Sequence, residues 1–456
     1  MTETALRAPL SLQQDFLRMV DHGDDTGPFG SRYTIVGGWR LRGPVDVGTL
    51  RASLTDVVTR HESLRTRLVV DGGQAFQTVL DPSEPELVVR DLSPAAGADR
   101  TRATEDFLNE VESGTFGMDR NPLLRAVLGR FDDTTAVLAL MAHHTAADGW
   151  SMQVIMRDVA ACYAARRQGR PADLPPARQY REYVAWQREN ADSPATAAAR
   201  RYWRDTLRGA QVVPTPTDLT RADGTFVTSW HRFWLDDDLR AATVALANRT
   251  TSTVFMVVLA AYLDHLRRVT GESDLVVPTF TPGRTPAWTA HMVGSFYHFV
   301  PLRTDLTGCT DPLELIARAR TTCLAAYRHE LPFADIIAEA PEVMDAAVGP
   351  NAAACVLQVT QSPMVLRDEQ IGELTYRALR RRLVSAPVGS QIPDGALLGL
   401  EVDPDGGIVG SVGYTTNLFL ESTAAGMAAD IGQALGDFVE RAQRGIGDVV
   451  GRAQRN

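Results

Sequence analysis

Lysine is absent from this 456-residue chain, and all 46 of its basic residues are arginine. This absence excludes mechanisms that need a lysine amine, such as Schiff-base chemistry or the phosphate-binding lysine of a P-loop. The chain also lacks a net positive charge, because its 56 acidic residues outnumber the 46 arginines and bring the formal net charge to −10. That balance argues against a protein that binds nucleic acid.

Cysteine is scarce, and the four cysteines lie far apart without CxxC spacing: Cys162, Cys309, Cys323 and Cys355. We therefore expect reduced, mostly buried thiols, with neither disulfides nor a bound metal. Long apolar runs are missing as well. Without a run of about 18 apolar residues we expect no transmembrane helix and no membrane association. The N-terminus has no apolar signal core, so a cytoplasmic protein is expected.

The length and the apolar content define the scale of the fold. A chain of 456 residues suits two or three domains, and its 44% hydrophobic content supports a full globular core. Alternating strand-like and helical stretches run through both halves of the chain, which indicates an α/β protein.

The strongest chemical signal is the stretch MAHHTAADGWSM, residues 141–152. The apolar segment 134–142 predicts a strand that ends at the histidines. After it, apolar residues at helical spacing predict a helix that begins near Gly149. Adjacent strand residues point to opposite faces of a sheet, so only one of His143 and His144 can face a cleft. For the same reason, the pair makes a poor metal site.

A strand-ending HHxxxDG before a helix resembles the active-site motif of the condensation domains of nonribosomal peptide synthetases, and of related chloramphenicol acetyltransferase-type enzymes. Three further stretches support the resemblance. RHESLRTRL (residues 60–68) is similar to the family's RHExLRTxF, and YREYVAWQ (residues 180–187) to its YxDFAxWQ. VGSFYHF (residues 293–299) is similar to (I/V)GxFVNT, with Tyr297-His298 where Val-Asn is usual. The departures lie where the acceptor side is expected.

The resemblance implies an α/β (α+β) fold of two chloramphenicol acetyltransferase-like lobes in a V arrangement. We place the N-terminal lobe, which carries HHxxxDG, at residues 1–175. The C-terminal lobe takes residues 176–456. In such proteins the active site lies in a tunnel between the lobes. We expect the polar side chains of the RHESLRTRL motif to form a structural network that serves packing more than chemistry.

The same resemblance assigns the candidate catalytic residues His144, His143, Asp148 and Gly149. His144 accepts the proton of the nucleophile, or holds the nucleophile and stabilises the tetrahedral species. His143 points into its lobe and supports the loop. Asp148 forms a buried ion pair with Arg284, the first candidate, or with Arg65, the second.

Gly149 is expected to allow close backbone approach at the helix start, where amide groups can face an oxyanion. Four further residues are expected to line the substrate tunnel: Trp150, Ser295, Tyr297 and His298.

The implied activity is that of a free-standing condensation enzyme in natural-product and antibiotic biosynthesis. The donor acyl group arrives on the phosphopantetheine of a separate peptidyl carrier protein, and no cofactor is bound. The acceptor is a small-molecule amine or alcohol, so that an amide or an ester forms, as when an amino acid is attached to an enediyne core. We expect a monomer.

Two alternatives stay open. One is a coenzyme A-dependent O-acyltransferase of the same superfamily, which makes esters without carriers. The other is a non-catalytic recruitment module on this fold. Such modules usually lose the second histidine or the glycine of the motif, whereas His144, Asp148 and Gly149 are all present here.

Overall fold

The computed structural model describes residues 6–21, 23, 25, 27–71, 74–93, 99–222, 226–361, 364, 366–392 and 394–453. Its helices are α1 (Leu12–Met19), α2 (Val47–Arg60), α3 (Asp99–Ser113), α4 (Gly149–Arg167), α5 (Tyr180–Glu189), α6 (Pro194–Leu207), α7 (Asp237–Arg249), α8 (Val254–Thr270), α9 (Pro312–Arg328), α10 (Phe333–Glu339) and α11 (Glu421–Ala453). Short 3-10 turns span Glu62–Arg65, Ala287–Thr289 and Pro341–Ala347.

The strands, again in chain order, are β1 (Arg7–Pro9), β2 (Thr34–Arg42), β3 (Thr66–Asp71), β4 (Gln74–Val79), β5 (Leu87–Asp91), β6 (Leu124–Arg130), β7 (Thr135–His143), β8 (Thr215–Pro216), β9 (Thr228–Leu235), β10 (Asp274–Thr281), β11 (His298–Asp305), β12 (Ala352–Ala353), β13 (Cys355–Thr360), β14 (Glu369–Ile371), β15 (Leu374–Ala378), β16 (Ala396–Val402) and β17 (Ile408–Thr415).

The chain forms two compact units, each with its own sheet and helices, in agreement with the predicted α/β class and its two lobes. Unit 1 comprises Met1–Ala191, Pro282–His298 and Pro363–Pro393. Unit 2 comprises Asp192–Thr281, Phe299–Ser362 and Asp394–Asn456. These units differ from the predicted 1–175 and 176–456, because α5 and two later segments join unit 1. Strand pairing explains one of the segments, since β15 bonds to β2.

Unit 1 contains a six-stranded sheet in the order β14-β15-β2-β7-β6-β5. Its neighbouring strands are antiparallel except for the parallel pair β5–β6. A separate sheet of three strands has the order β1-β4-β3. In the large sheet, Thr34 of β2 lies opposite His143 of β7, so the end of β7 is held beside the start of β2.

Helices cover both faces of this sheet, which explains why β7 is an almost continuous apolar run. One core joins side chains of α2 and α4 to the sheet, including Leu54, Ile155 and Leu138. A second core joins α3 to the opposite face, through Phe107 and Val137. With apolar layers on both sides, the strand that carries the histidines is fixed in register and depth.

The RHESLRTRL motif serves packing, as the sequence predicted. Asp158 of α4 is fully buried and accepts hydrogen bonds from Arg60 Nε at 2.9 Å and from the Arg157 guanidinium at 2.7 Å. His61 Nε2 lies 2.8 Å from the same carboxylate. Burial alone would raise the pKa of Asp158, but His61 and Arg157 together hold that pKa at about 2. The motif thus ties the end of α2 to the middle of α4.

Unit 2 is built on a second six-stranded sheet, in the order β11-β10-β13-β16-β17-β9. The pairs β10–β13 and β13–β16 are parallel, whereas β16–β17 and β17–β9 are antiparallel. Helix α8 is buried along most of its first three turns and packs against α9 and α11. In the described part of the chain, no single helix suffices by length and composition to cross a membrane; the bent pair α7 and α8 meets those criteria only jointly.

Candidate active site

His143 ends β7, and both of its ring nitrogens are used. Nε2 lies 3.1 Å from the carbonyl oxygen of Gly30, and Nδ1 lies 2.8 Å from the hydroxyl of Thr145. A neutral ring that donates from Nε2 and accepts at Nδ1 satisfies both contacts. Burial lowers the pKa of His143 to about 4, which favours this neutral form. His143 therefore supports the loop that follows β7.

His144 is the next residue, and its environment differs. Its backbone N–H donates to the carbonyl of Tyr33 at 2.8 Å, which continues the pairing of β7 with β2. The side chain is half-buried, and Nδ1 makes no hydrogen bond to any residue that the structure describes. Burial lowers the pKa of His144, while the neighbouring backbone of His144 and Ala147 and the charge of Asp148 act in the opposite direction. The ring is thus a neutral imidazole at pH 7 with part of its surface open.

Two phenol rings lie against this imidazole. The ring of Tyr33 stacks on His144 with centroids 5.1 Å apart, and the ring of Tyr297 lies at 4.6 Å. The two tyrosine hydroxyls are hydrogen bonded to each other. The sequence predicted that Tyr297 lines the tunnel, but it gave no sign that Tyr33 would lie beside His144.

Asp148 is the N-cap of α4, and both of its carboxylate oxygens are occupied. Oδ1 accepts from the backbone N–H of Ser151 at 2.7 Å and from Arg284 Nη2 at 2.9 Å. Oδ2 accepts from the backbone N–H of Phe296 at 3.2 Å. The side chains of Asp148 and Arg284 are only 6% and 4% exposed. A carboxylate held in this way is a structural anchor.

Of the two partners that the sequence predicted for Asp148, the structure pairs it with the first, Arg284. Its guanidinium also donates to the carbonyls of Thr289 and Met292 and to the hydroxyl of Ser151. Arg65, the second candidate, is engaged elsewhere: its guanidinium donates to the carbonyl of Leu80 at 2.5 Å.

The segment 282–298 is fastened to α4 and α5 at several points. The hydroxyl of Ser151 bonds both the N–H and the carbonyl of Gly294, and Tyr180 donates to the carbonyl of Ser295 at 2.5 Å. A side chain at Gly294 would collide with the ring of Tyr180, so only glycine permits this approach. Gln13 donates to the carbonyl of Phe296 at 3.1 Å.

The other predicted tunnel residues have varied settings. Trp150 donates from its indole nitrogen to the carbonyl of Ala290 at 2.8 Å, and so helps to hold the segment 282–298. Ser295 is buried, and its hydroxyl makes no hydrogen bond within the described ranges. His298 is buried next to Gly283 at the start of β11. Of these four residues, Tyr297 is the one brought into ring contact with His144.

Gly149 is the first residue of α4 and is exposed. A Cβ at this position would meet only Ile35 Cδ1, at 3.8 Å, which is ordinary contact. Packing within the described chain therefore does not require glycine here, and the space beside the helix start is open. Among the described residues, no group of three or more His, Cys, Asp or Glu side chains is placed to hold a metal ion.

The comparison with protein-family models decides the family. The model named Condensation domain matches residues 25–450. The chain belongs to the condensation-domain family. This assignment agrees with the resemblance seen in the sequence and with the placement of HHxxxDG at the end of a strand.

One solved structure is similar along almost the whole length of the chain. The crystal structure of SgcC5 from Streptomyces globisporus, solved with (R)-(-)-1-(2-naphthyl)-1,2-ethanediol and sucrose, shares 45% identity with a TM-score of 0.91. The match covers 95% of this chain and 99% of that one. The complex of the X-domain and OxyB from teicoplanin biosynthesis matches at 26% identity with a TM-score of 0.73, covering 96% of this chain and 95% of that one.

A curated relative is much larger. CymA of Salinispora arenicola (strain CNS-205), named as a nonribosomal peptide synthetase, is 35% identical over 404 residues, which is 86% of this chain. The matched region is only 5% of that protein. The chain thus spans only a small part of the length of this relative. The role of the condensation-domain family in nonribosomal peptide biosynthesis is condensation by acyl transfer.

Proposed function

We propose that the chain transfers an acyl group from the phosphopantetheine thioester of a separate carrier protein to a small-molecule acceptor, with His144 as the general base. The observation that carries this proposal is that the side chains of HHxxxDG differ in their hydrogen bonding. Both nitrogens of His143 and both oxygens of Asp148 are committed to structural hydrogen bonds. His144 is left as the titratable side chain of the motif that can serve a substrate.

The reaction needs one proton to be moved twice. The acceptor O–H or N–H gives its proton to His144 as the oxygen or nitrogen attacks the thioester carbonyl carbon. The tetrahedral species then collapses, the C–S bond breaks, and the imidazolium returns the proton to the departing thiolate. A lowered pKa keeps His144 neutral beforehand and makes its protonated form a ready donor afterwards. We assign Nε2 to this exchange because Nδ1 is buried.

We further propose that the backbone N–H groups at the start of α4 receive the oxyanion. The positive end of a helix dipole stabilises negative charge at its N-terminus. The open space at Gly149 supports an approach of the substrate carbonyl to this backbone. Asp148 contributes indirectly by capping the helix at Ser151.

An alcohol is the acceptor that we favour, so the bond formed is an ester. The support is the relative at 45% identity, which was crystallised with an aryl ethanediol.

The base role of His144 is tested with a matched pair of acceptors, an aryl ethanediol and the amino alcohol in which an amine replaces one hydroxyl. Wild type, His144→Ala and the control His265→Ala, a half-buried histidine of α8, are compared by kcat/KM from about pH 6 to pH 9.

Removal of His144 should cost about 10²–10⁴-fold with the alcohol at every pH, because a hydroxyl stays protonated across this range. With the amine, whose pKa is about 8, the loss should be smaller and should shrink as the pH rises. His265→Ala should leave both reactions unchanged. Equal, pH-independent losses for the two acceptors would contradict the base role and leave only a positioning role at the same site.

The donor is tested separately. Turnover with an acylated carrier protein, with a small thioester mimic and with the coenzyme A ester distinguishes the proposal from a coenzyme A-dependent acyltransferase. We expect the carrier to give the highest kcat/KM. An equal or higher value with the coenzyme A ester would favour the alternative enzyme, and no turnover with any donor would favour the recruitment module.

A further inference from the structure

The two tyrosines beside His144 form a unit that the HHxxxDG motif does not contain. Tyr33 touches His144 twice, through its backbone carbonyl and through its stacked ring. Tyr297 reaches the same imidazole from the segment 282–298. The hydrogen bond between the two hydroxyls joins the strand side of the site to that segment. We call this pair, Tyr33 and Tyr297, the phenol clamp.

The position of Tyr297 is fixed by its neighbours. Phe296 donates its N–H to Asp148 and accepts from Gln13 at its carbonyl, while Ser295 accepts from Tyr180. The two residues before Tyr297 are thus tied to α4, α1 and α5. The backbone that carries Tyr297 cannot move away from His144 without breaking several buried hydrogen bonds, each of which costs free energy if left unmade. The ring itself is held by the hydrogen bond from its hydroxyl to Tyr33.

Both phenols stay uncharged over the working pH range. Burial raises the pKa of Tyr33 to about 12, and burial also raises the pKa of Tyr297 well above its usual value. The imidazole therefore faces two neutral rings that displace water from it. A site with less water disfavours the charged form of a histidine.

We infer that Tyr33 and Tyr297 are positioning residues for His144, which hold its imidazole in place and keep it dry and unprotonated. The inference rests on the proposed role of His144 as base. It goes beyond the HHxxxDG motif, because Tyr297 stands at a position where the family motif usually carries Val.

The groups that face His144 determine the sign of the expected pH effect. Asp148 at the start of α4 favours the protonated imidazole, while His143 on the same strand is neutral. Among the residues that the structure describes, the other titratable side chains in ring contact with His144 are the two phenols, which are neutral as well. A shorter side chain at position 297 admits water, so the protonated imidazole becomes less costly. The titration midpoint of His144 should then rise toward the ordinary value of about 6.5.

The primary experiment reads the imidazole directly. Its NMR titration is followed in the free enzyme, with the signal of His144 assigned by its loss in His144→Ala. Tyr297→Val should raise the midpoint by about half a pH unit or more, since one unit corresponds to about 1.4 kcal/mol of differential solvation. Tyr297→Phe keeps the ring and should leave the midpoint unchanged. Tyr376→Phe, a buried tyrosine of β15, is the matched control.

A second measurement tests the hydrogen bond between the hydroxyls. Tyr33→Phe, Tyr297→Phe and the double variant should each lower kcat by roughly 2–10-fold, the value of one neutral hydrogen bond, with KM unchanged. The double variant should be no slower than either single one, because each substitution removes the same bond. Tyr297→Leu replaces Tyr297→Val in the titration if the smaller side chain prevents folding.

The outcomes separate the clamp from the function on which it rests. An unchanged midpoint in Tyr297→Val or Tyr297→Leu overturns the inference. Additive losses in the double Phe variant also overturn it, because each hydroxyl would then act on the substrate by itself. If His144→Ala retains full activity, the proposed function fails, whereas a shifted midpoint in the position-297 variants still reports a clamp.

Discussion

Replacing Asp148 by Asn tests the charge of the anchor without removing its shape. Asn keeps an oxygen that can cap α4, since Asn and Asp are about equally good N-caps. It loses the charge that compensates Arg284, and its NH2 group would face the backbone N–H of Phe296, so that two donors oppose each other. Because both side chains are almost fully buried, we expect Asp148→Asn to cost about 3 kcal/mol of stability.

Asp46 provides a matched control. It is also the N-cap of a helix in unit 1, and it accepts from the backbone N–H of Thr49 at 2.6 Å. Its side chain is 48% exposed, and its nearest arginine nitrogen lies 4.0 Å away. Asp46→Asn removes a charge at a helix start but strands no buried partner, so its cost should stay below about 1 kcal/mol.

Equilibrium urea unfolding at pH 7.5 compares the two variants with wild type, using both the midpoint and the slope. A second variant, Arg284→Met, then closes a double-mutant cycle. Asp148→Asn combined with Arg284→Met should be more stable than the sum of the two single effects predicts, by at least about 1 kcal/mol. Equal stability of Asp148→Asn and Asp46→Asn would refute the view that the charge anchors the segment 282–298.

Two further predictions concern the same motif. Gly149→Ala should leave the unfolding midpoint unchanged, because its Cβ meets only Ile35, yet lower kcat/KM by about 10-fold or more if the helix start receives the oxyanion; wild-type activity would contradict that role. Burial depresses the pKa of His143, so stability should be complete above about pH 6.5 and fall as the pH drops toward about 4. The loss between pH 7.5 and pH 5 in urea unfolding should be about 2 kcal/mol smaller in His143→Gln than in wild type, and an identical loss would refute the assignment.

Local sequence patterns predicted the elements around the site correctly. The apolar run 134–142 became β7, which ends at His143, and the helix predicted near Gly149 became α4. Asp46, an aspartate directly before the first helical residue, caps α2 in the same local way. These features depend on neighbours within a few residues of each other, which is the range over which periodicity and capping act.

Long-range pairing could not be predicted in the same way. The register that places Thr34 opposite His143, and hence Tyr33 beside His144, depends on how two distant strands align. A register shift of one residue would turn every side chain of β2 to the other face of the sheet. Nothing local in the sequence of residues 33–43 specifies the alignment. The entry of β15 into the sheet of unit 1 was missed for the same reason, because its partner β2 lies far earlier in the chain.

The predicted boundary between the lobes at residue 175 was wrong, because the order of motifs along the chain does not show which later segments return to the first unit. Motif order suggested two consecutive lobes, whereas the segments 282–298 and 363–393 belong to unit 1. Arg284 was nevertheless identified as the partner of Asp148, since the family resemblance supplied a long-range contact that periodicity cannot provide. What the resemblance did not supply was Tyr33, whose hydroxyl is hydrogen bonded to that of the atypical Tyr297.

The discontinuous build of unit 1 has a consequence for how the protein is made. Asp148 and Arg284 are 136 residues apart in the chain. At a synthesis rate of about 5–20 residues per second, the carboxylate leaves the ribosome roughly 7–27 s before its arginine does. The interval between the synthesis of β2 and that of its neighbour β15 is longer still. During that interval the nascent chain exposes an unpaired sheet edge, which can pair with strands of other chains. A truncated N-terminal fragment would retain both histidines and the Asp148 carboxylate, but it would never acquire Arg284 or Tyr297.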